Sequence, residues 1–366
     1  MGAAPAVLST PRKERKTLVR RLAGDRSQRT RHIVQGLFAA LNLWLGLQFY
    51  LWVRFFERGG VGAEIARPAG AEGWLPIAGL MNFKVLLMTG RVPAIHPAAM
   101  FLFIAFLSMS VIAKKSFCSW LCPVGTFSEI LAALGMRIFG RRFSLPRWLD
   151  IPLRGLKYLL LGFFLYFIGT MTAAVLEQFM QTPYGLLADV KMLNFFRHLS
   201  ETAAVVLAAL VILSVVVENV WCRYLCPYGA LMGLASLLSP LKIRRNTSAC
   251  IDCGKCSHAC PAGLAVDKLV QIRSVECTAC MACVAACPAE GALQFSLPRG
   301  GQAAGRPLPR YRRPVTPLGM VALLAAIFFG MVLFARATNH WQTQVPADVY
   351  RQLVPNANRA AHPGFE

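Results

Sequence analysis

Charge is scarce in this chain of 366 residues: Asp, Glu, Lys and Arg make up 15% of it and apolar residues 56%. That balance excludes an ordinary soluble protein and places most of the mass in lipid. Acids are scarcer still, 17 against 39 Lys and Arg, for a formal net charge of +22. The excess does not point to nucleic acid, because the basic residues fall in short runs beside apolar spans, the positive-inside arrangement. Spare cysteine is lacking too. All twelve stand in spaced motifs, so none is left for a structural disulfide, and every cysteine-bearing segment suits a reducing compartment. Small residues are missing after the first apolar stretch, where Tyr50, Trp52, Arg54 and Phe55 stand instead, which argues against a cleaved signal peptide.

What the chain does hold is concentrated between Cys250 and Pro288. Two runs of the form C-x2-C-x2-C-x3-C-P occur there, the spacing of bacterial two-cluster ferredoxins, in which three close thiolates grip one cubane and the fourth crosses to the other. The rule assigns Cys250, Cys253, Cys256 and Cys287 to one [4Fe-4S] cluster, and Cys277, Cys280, Cys283 and Cys260 to the second. Small neighbours such as Gly254, Ala279 and Ala282 let backbone amides approach the sulfides. A zinc ribbon would pair C-x2-C units, and disulfides do not explain the same spacing of four used twice. His258 lies inside a ligand run already filled by Cys and reads as an exposed loop side chain.

The fold class expected is a membrane all-α protein of about five transmembrane helices with internal duplication, carrying an inserted small α+β two-cluster domain. Residues 1–31 read as a flexible basic cytoplasmic tail and 32–245 as the membrane domain. The two-cluster domain follows at 246–298, a basic linker at 299–317, a last transmembrane helix at 318–336 and an external tail at 337–366. Spans are predicted at about 33–53, 97–113, 156–176, 201–220 and 318–335, with the amino end inside and the carboxyl end outside. Lys114 and Lys115 mark the cytoplasmic face. Residues 177–198 read as a turn-rich external loop, and the apolar stretch Trp74 to Met88, broken by Pro76, Asn82 and Lys84, as an interfacial or re-entrant segment.

An offset of 104 residues lays Cys118 on Cys222, Cys122 on Cys226, Pro123 on Pro227 and Gly125 on Gly229. The match defines two units, 95–138 and 200–240, each an inward span, a C-x3-C-P corner and an amphipathic helix. Proline suits the first helical turn, which puts Cys122 and Cys226 near an N-cap, where free amides and the basic Lys114, Lys115 and Arg223 favour a thiolate. Three readings stay open for Cys118, Cys122, Cys222 and Cys226: a shared metal centre (a third cluster, an iron or a copper), two redox dithiols, or thiols that only pack a corner. His96, His198 and His340 fall at external span ends, where they could serve a quinol or a haem, or simply edge the membrane.

The two corners, F-C-S-W-L-C-P-V-G and W-C-R-Y-L-C-P-Y-G, together with the tandem ferredoxin runs, resemble the membrane polyferredoxin family over about residues 33–335. That family includes NapH-type quinol dehydrogenase subunits and the membrane half of NosR-type regulators, with CcoG-type copper reductases more distant. The resemblance implies a bacterial inner-membrane electron-transfer protein between the quinone pool and a redox partner, or the membrane subunit of a quinol dehydrogenase. No large flavin domain precedes the first span, and the short tail is too small for a CcoG-type β-sandwich. The other functions to weigh are a metal-reducing or assembly factor and a redox-sensing regulator.

Overall fold

The computed structural model describes residues 25–63, 65–141, 143, 145–297, 314–360 and 362. Most of the expected basic tail and linker lies outside them. The first helix, α1 (Ser27–Glu57), is followed by a hairpin of α2 (Pro76–Thr89) and α3 (Pro97–Ala113). The first corner is a short α4 (Ser116–Trp120) that breaks at Cys122 into α5 (Pro123–Phe139). Next come α6 (Arg147–Thr170), α7 (Ala173–Gln181), α8 (Pro183–Leu186), α9 (Ala188–Arg197) and α10 (Glu201–Val216). A π-helical turn, Trp221–Leu225, delivers the second corner to α11 (Pro227–Ala235). The ferredoxin segment is β1 (Lys242–Arg245), α12 (Lys255–His258), α13 (Ala282–Ala285) and β2 (Leu293–Ser296), and the chain ends with α14 (Pro317–Ala337) and α15 (Ala347–Leu353). β1 and β2 pair antiparallel, Ile243 opposite Phe295.

Three described helices, α1, α6 and α14, are long and apolar enough to cross a membrane, and α9 with α10 would add a fourth as one span bent by 79°. Five were expected. The second and fourth fall short because α3 has 17 residues and α10 has 16, against about 20 for a straight crossing. α3 is nonetheless the most enclosed part of the molecule, with Ala98, Met100, Ala105 and Met109 wholly buried. One buried apolar cluster continues from these side chains through Phe117 and Trp120 into Ile243, Ile272 and Phe295. The membrane part and the ferredoxin segment therefore share a core.

The polar interruptions of α2 have local reasons. Asn82 donates to the carbonyls of Ile95 (2.8 Å) and His96 (3.0 Å), fixing the turn into α3. Lys84 places its ammonium on the carbonyls of Ile168 and Gly169, each at 2.8 Å, where the last turn of α6 has no internal partners. Residues 177–198, expected as a loop, are almost wholly helical. Hydroxyls of Thr172 and Thr182 cap α7 and α8, and such short capped pieces escape a periodicity search. The expected external tail is packed as well: Tyr350, Val354 and Ala357 bury against Trp52 and Phe56 of α1.

Candidate functional site

The ferredoxin runs fold as two copies of one loop. Asp252 and Ala279, each two residues past the first cysteine, have φ of 54° and 52°, and Gly254 and Met281, four past it, have 72° and 58°. These left-handed residues start the short helices α12 and α13 and turn successive amides inward, as a nest around sulfide requires. Cys250, Cys253, Cys256 and Cys287 line one small cavity together. In the other group Cys277, Cys280 and Cys283 are each in electrostatic contact with Cys260. The structure thus gathers two quartets, both spanning the two runs, and their thiol chemistry and inward amides fit a cubane each.

The second quartet sits on the first membrane corner. Trp120 Nε1 donates to the carbonyl of Ala279 at 3.1 Å, and the Ser119 hydroxyl donates to that of Thr278 at 2.6 Å. Gln28 of α1 donates to the carbonyl of Cys280 at 2.9 Å. Three residues on, Arg31 is buried and grips Glu129 of α5, Nη1 to Oε2 at 2.6 Å and Nη2 to Oε1 at 2.5 Å. Arg31 was expected in a flexible tail. It is a buried bidentate strut instead, because a guanidinium enclosed beside the corner needs a carboxylate.

Cys122 and Cys226 are the N-cap residues of α5 and α11, each followed by proline. Gly229 N–H donates to Cys226 Sγ at 3.2 Å. All four corner cysteines line the same cavity, with Lys115 and Tyr228, and each is in electrostatic contact with the other three. As free thiols Cys118, Cys122 and Cys222 are not activated. Burial pushes Cys118 up to about 12 and Cys122 up to about 11, outweighing Lys115 in the first and the cap amides in the second, as desolvation does to any charged sulfur. The expected thiolate bias from basic neighbours therefore needs correction. Arg223 pairs with Asp150, Nε to Oδ1 at 2.9 Å and Nη2 to Oδ2 at 3.0 Å, and its charge is spent there. Lys114 and Lys115, expected to mark the cytoplasmic face, are buried. Lys114 Nζ donates to the carbonyl of Ser274 at 3.1 Å, beside Cys277, while Lys115 faces the corner thiols.

The cavity above the corner has a volume of about 910 Å³. Leu102, Phe103, Phe106, Leu161, Phe164 and Phe328 make most of its wall, and Arg67, Gln48 and Trp341 stand at the end away from the cysteines. A second cavity of about 210 Å³ is lined by Cys118 and Cys222 of the corners together with Cys280 of the ferredoxin segment.

The three histidines lie in unlike surroundings. His198 is exposed, and His340 is half-buried, its backbone N–H on the carbonyl of Ala335 at 2.8 Å. His96 is fully buried, with Nδ1 3.2 Å from Glu72 Oε1 and Nε2 3.0 Å from the carbonyl of Gly185. Both ring nitrogens are thus engaged by the protein, so neither is presented to a haem iron. Glu72 also accepts from Ala99 N–H at the start of α3 and pairs with Arg67, which reaches Asp189 at 2.5 Å. Sequence reading passed over Arg67, Glu72 and Asp189; the usable signal was three isolated charges in apolar surroundings, which demand partners.

Burial works to lower the His96 pKa, but the hydrogen bond and charge of Glu72 outweigh it and hold the imidazolium above its ordinary value. A raised folded pKa gives stability that is complete below the unfolded value of about 6.5 and is lost as pH climbs through the folded one. The thermal midpoint of the detergent-solubilised protein should therefore fall with rising pH more steeply than that of His96→Gln. Equal slopes would show that folding leaves the His96 pKa unshifted.

Among the described residues no three His, Cys, Asp or Glu side chains converge at the spacing of a single metal ion. The family described as "4Fe-4S binding domain" matches residues 95–146 and again 202–246, and that described as "4Fe-4S dicluster domain" matches 242–288. YccM of Escherichia coli (strain K12), named for electron transport, is 49% identical over 335 residues, 91% of each chain. The ferredoxin-type protein NapH of the same organism is 30% identical over 149 residues, 40% of this chain and 48% of its own. The protein NirI of Paracoccus denitrificans is 28% identical over 221 residues, 57% of this chain and 30% of its own. No solved structure matches. Similarity to YccM along nearly the whole of both chains, joined to iron–sulfur patterns on every cysteine motif, shows that the chain belongs to the membrane ferredoxin-type 4Fe-4S family.

Proposed function

We propose that this protein carries electrons between the membrane quinone pool and a redox partner, using two [4Fe-4S] centres held by the ferredoxin segment. The observation that carries the reading is the apolar cavity of about 910 Å³ that ends on four cysteine thiols. Its size lies in the range of small-molecule sites. Its wall of Leu and Phe suits a quinone ring and the start of an isoprenoid chain, and its far end offers Arg67 and Gln48 as polar contacts.

Each bound cubane supplies one-electron transfer. Cys250, Cys253, Cys256 and Cys287 would hold the first and Cys277, Cys280, Cys283 and Cys260 the second. The left-handed turns at Asp252 and Ala279 would bring amides toward a bound centre, and Trp120 and Ser119 fix the second quartet against the membrane corner. Oxidation of a quinol releases two electrons and two protons, and Glu72 with His96 is a buried acid–base pair in contact with Arg67 of the cavity wall. The basic runs favour a bacterial inner-membrane orientation with the amino end and ferredoxin segment cytoplasmic and the carboxyl end outside, α3 and α10 serving as short crossings.

The test is reduction of the purified protein by a menaquinol analogue, followed optically. Leu161→Trp, which fills the cavity wall, should slow quinol-driven reduction about tenfold, equivalent to roughly 1.4 kcal/mol, while dithionite reduction is unchanged. An unaltered quinol rate would remove the cavity from the path.

A further inference from the structure

Each C-x3-C-P corner supplies only two sulfur ligands, too few for any iron–sulfur centre. The fold supplies the remainder by setting the corners face to face. Cys118 and Cys122 come from the turn between α3 and α5, Cys222 and Cys226 from the turn between α10 and α11, and all four line one cavity. All six pairs among them interact electrostatically.

From this geometry we infer that Cys118, Cys122, Cys222 and Cys226 together bind a third iron–sulfur cubane, one half-site from each corner, between the apolar cavity and the ferredoxin segment. The inference deepens the electron-transfer reading above and rests on it.

Four further observations support it. First, the two corners present their thiols alike: Cys122 and Cys226 are each the N-cap of a helix that opens on proline.

Second, sulfur here already receives an amide, from Gly229 N–H to Cys226 Sγ at 3.2 Å, the type of donor that sets cluster potentials. Gly125 lets α5 pack on the backbone of the first corner, where a Cβ would come 2.3 Å from the Cys118 carbonyl oxygen, and Gly229 lies beside Lys115 Nζ and Cys226 Sγ.

Third, Lys115 is 3% exposed and stands among the four sulfurs, with the Glu276 charge beyond it. A cubane with four thiolates carries excess negative charge, which a buried ammonium beside it would offset.

Fourth, the position is that of a relay. Cys118 and Cys222 also line the cavity of about 210 Å³ that is lined by Cys280, a predicted ligand of the second ferredoxin cluster. Neighbouring lysines serve the two sides of this junction, Lys114 toward Cys277 and Lys115 toward the corner. A centre at the corner would accept or return one electron at a time at the end of the apolar cavity, the second cluster taking up or giving that electron across the small gap.

The test is metal and acid-labile sulfide analysis of the anaerobically purified full chain, with Mössbauer and low-temperature electron paramagnetic resonance spectra. About twelve irons per chain are expected, against about eight for two cubanes. Cys222→Ser alone, and Cys118→Ser with Cys222→Ser, should each lose about four irons while both ferredoxin signals persist, which also reports that the variants fold. Lys115→Met should keep the iron and move the third centre to a lower reduction potential. Wild-type protein with about eight irons and intact quinol-driven reduction would overturn the third centre and leave the electron-transfer reading standing. Stoichiometric copper or zinc at the corner would overturn it equally, and iron-free protein would overturn both.

Discussion

Cys260→Ala is expected to strip about four irons from the centre built on Cys277, Cys280 and Cys283, and to leave intact the one built on its own sequence neighbours. Electron flow between quinol and any acceptor that depends on the ferredoxin segment should then fall to background. The reason lies in the turn at Pro261, which sends the fourth cysteine of the first run away from Cys250, Cys253 and Cys256. Cys260 is in electrostatic contact with all three cysteines of the second quartet. Its counterpart Cys287 contacts Cys250 and Cys253. Paramagnetic resonance of the reduced variant distinguishes the outcomes. One remaining signal without spin coupling, from the quartet lined by Cys250, Cys253, Cys256 and Cys287, is the expected result. Loss confined to that quartet would reverse the crossed assignment.

Gly135→Ala should destabilise the membrane part by about 3 kcal/mol or more although it adds one methyl group. Gly135 lies where α5 crosses α10, and a Cβ there would sit 1.8 Å from the carbonyl oxygen of Val215. That neighbour is backbone, so relief requires the two helices to separate, and the second corner, a few residues beyond Val215, would move with α10. Gly155→Ala is the control. It lies inside α6 with nothing within 4 Å of a Cβ, and Ala in a helix interior gains roughly 0.5–1 kcal/mol over Gly. Thermal unfolding in one detergent should separate the two variants in opposite directions, and a Gly135→Ala midpoint equal to wild type would show that α5 and α10 are not held in this register.

The ferredoxin segment was the most legible part of the chain because its ligand spacing is local. The tight loop that each C-x2-C-x2-C run needs appears as left-handed backbone at Asp252, Gly254, Ala279 and Met281. The corners were legible through repetition, and the fold sets all four of their thiols on one cavity. What escaped the sequence was pairing at a distance. Arg31 meets Glu129 across 98 residues and Arg67 meets Asp189 across 122, and nothing local tells a buried strut from a headgroup contact. The burial of Lys114 and Lys115 escaped for a related reason: nothing local shows that the ferredoxin segment covers the basic run at the end of α3. The helices between Ala173 and Arg197 were hidden by their brevity, since four to ten residues rarely complete an amphipathic pattern.

The most direct measurement of the central claim is the iron and acid-labile sulfide content of full-length protein purified without oxygen, read together with its spectrum after reduction. Brown protein with at least about eight irons and eight sulfides per chain, giving low-temperature resonances on reduction, is the predicted result. Colourless protein with fewer than about four irons would contradict the account.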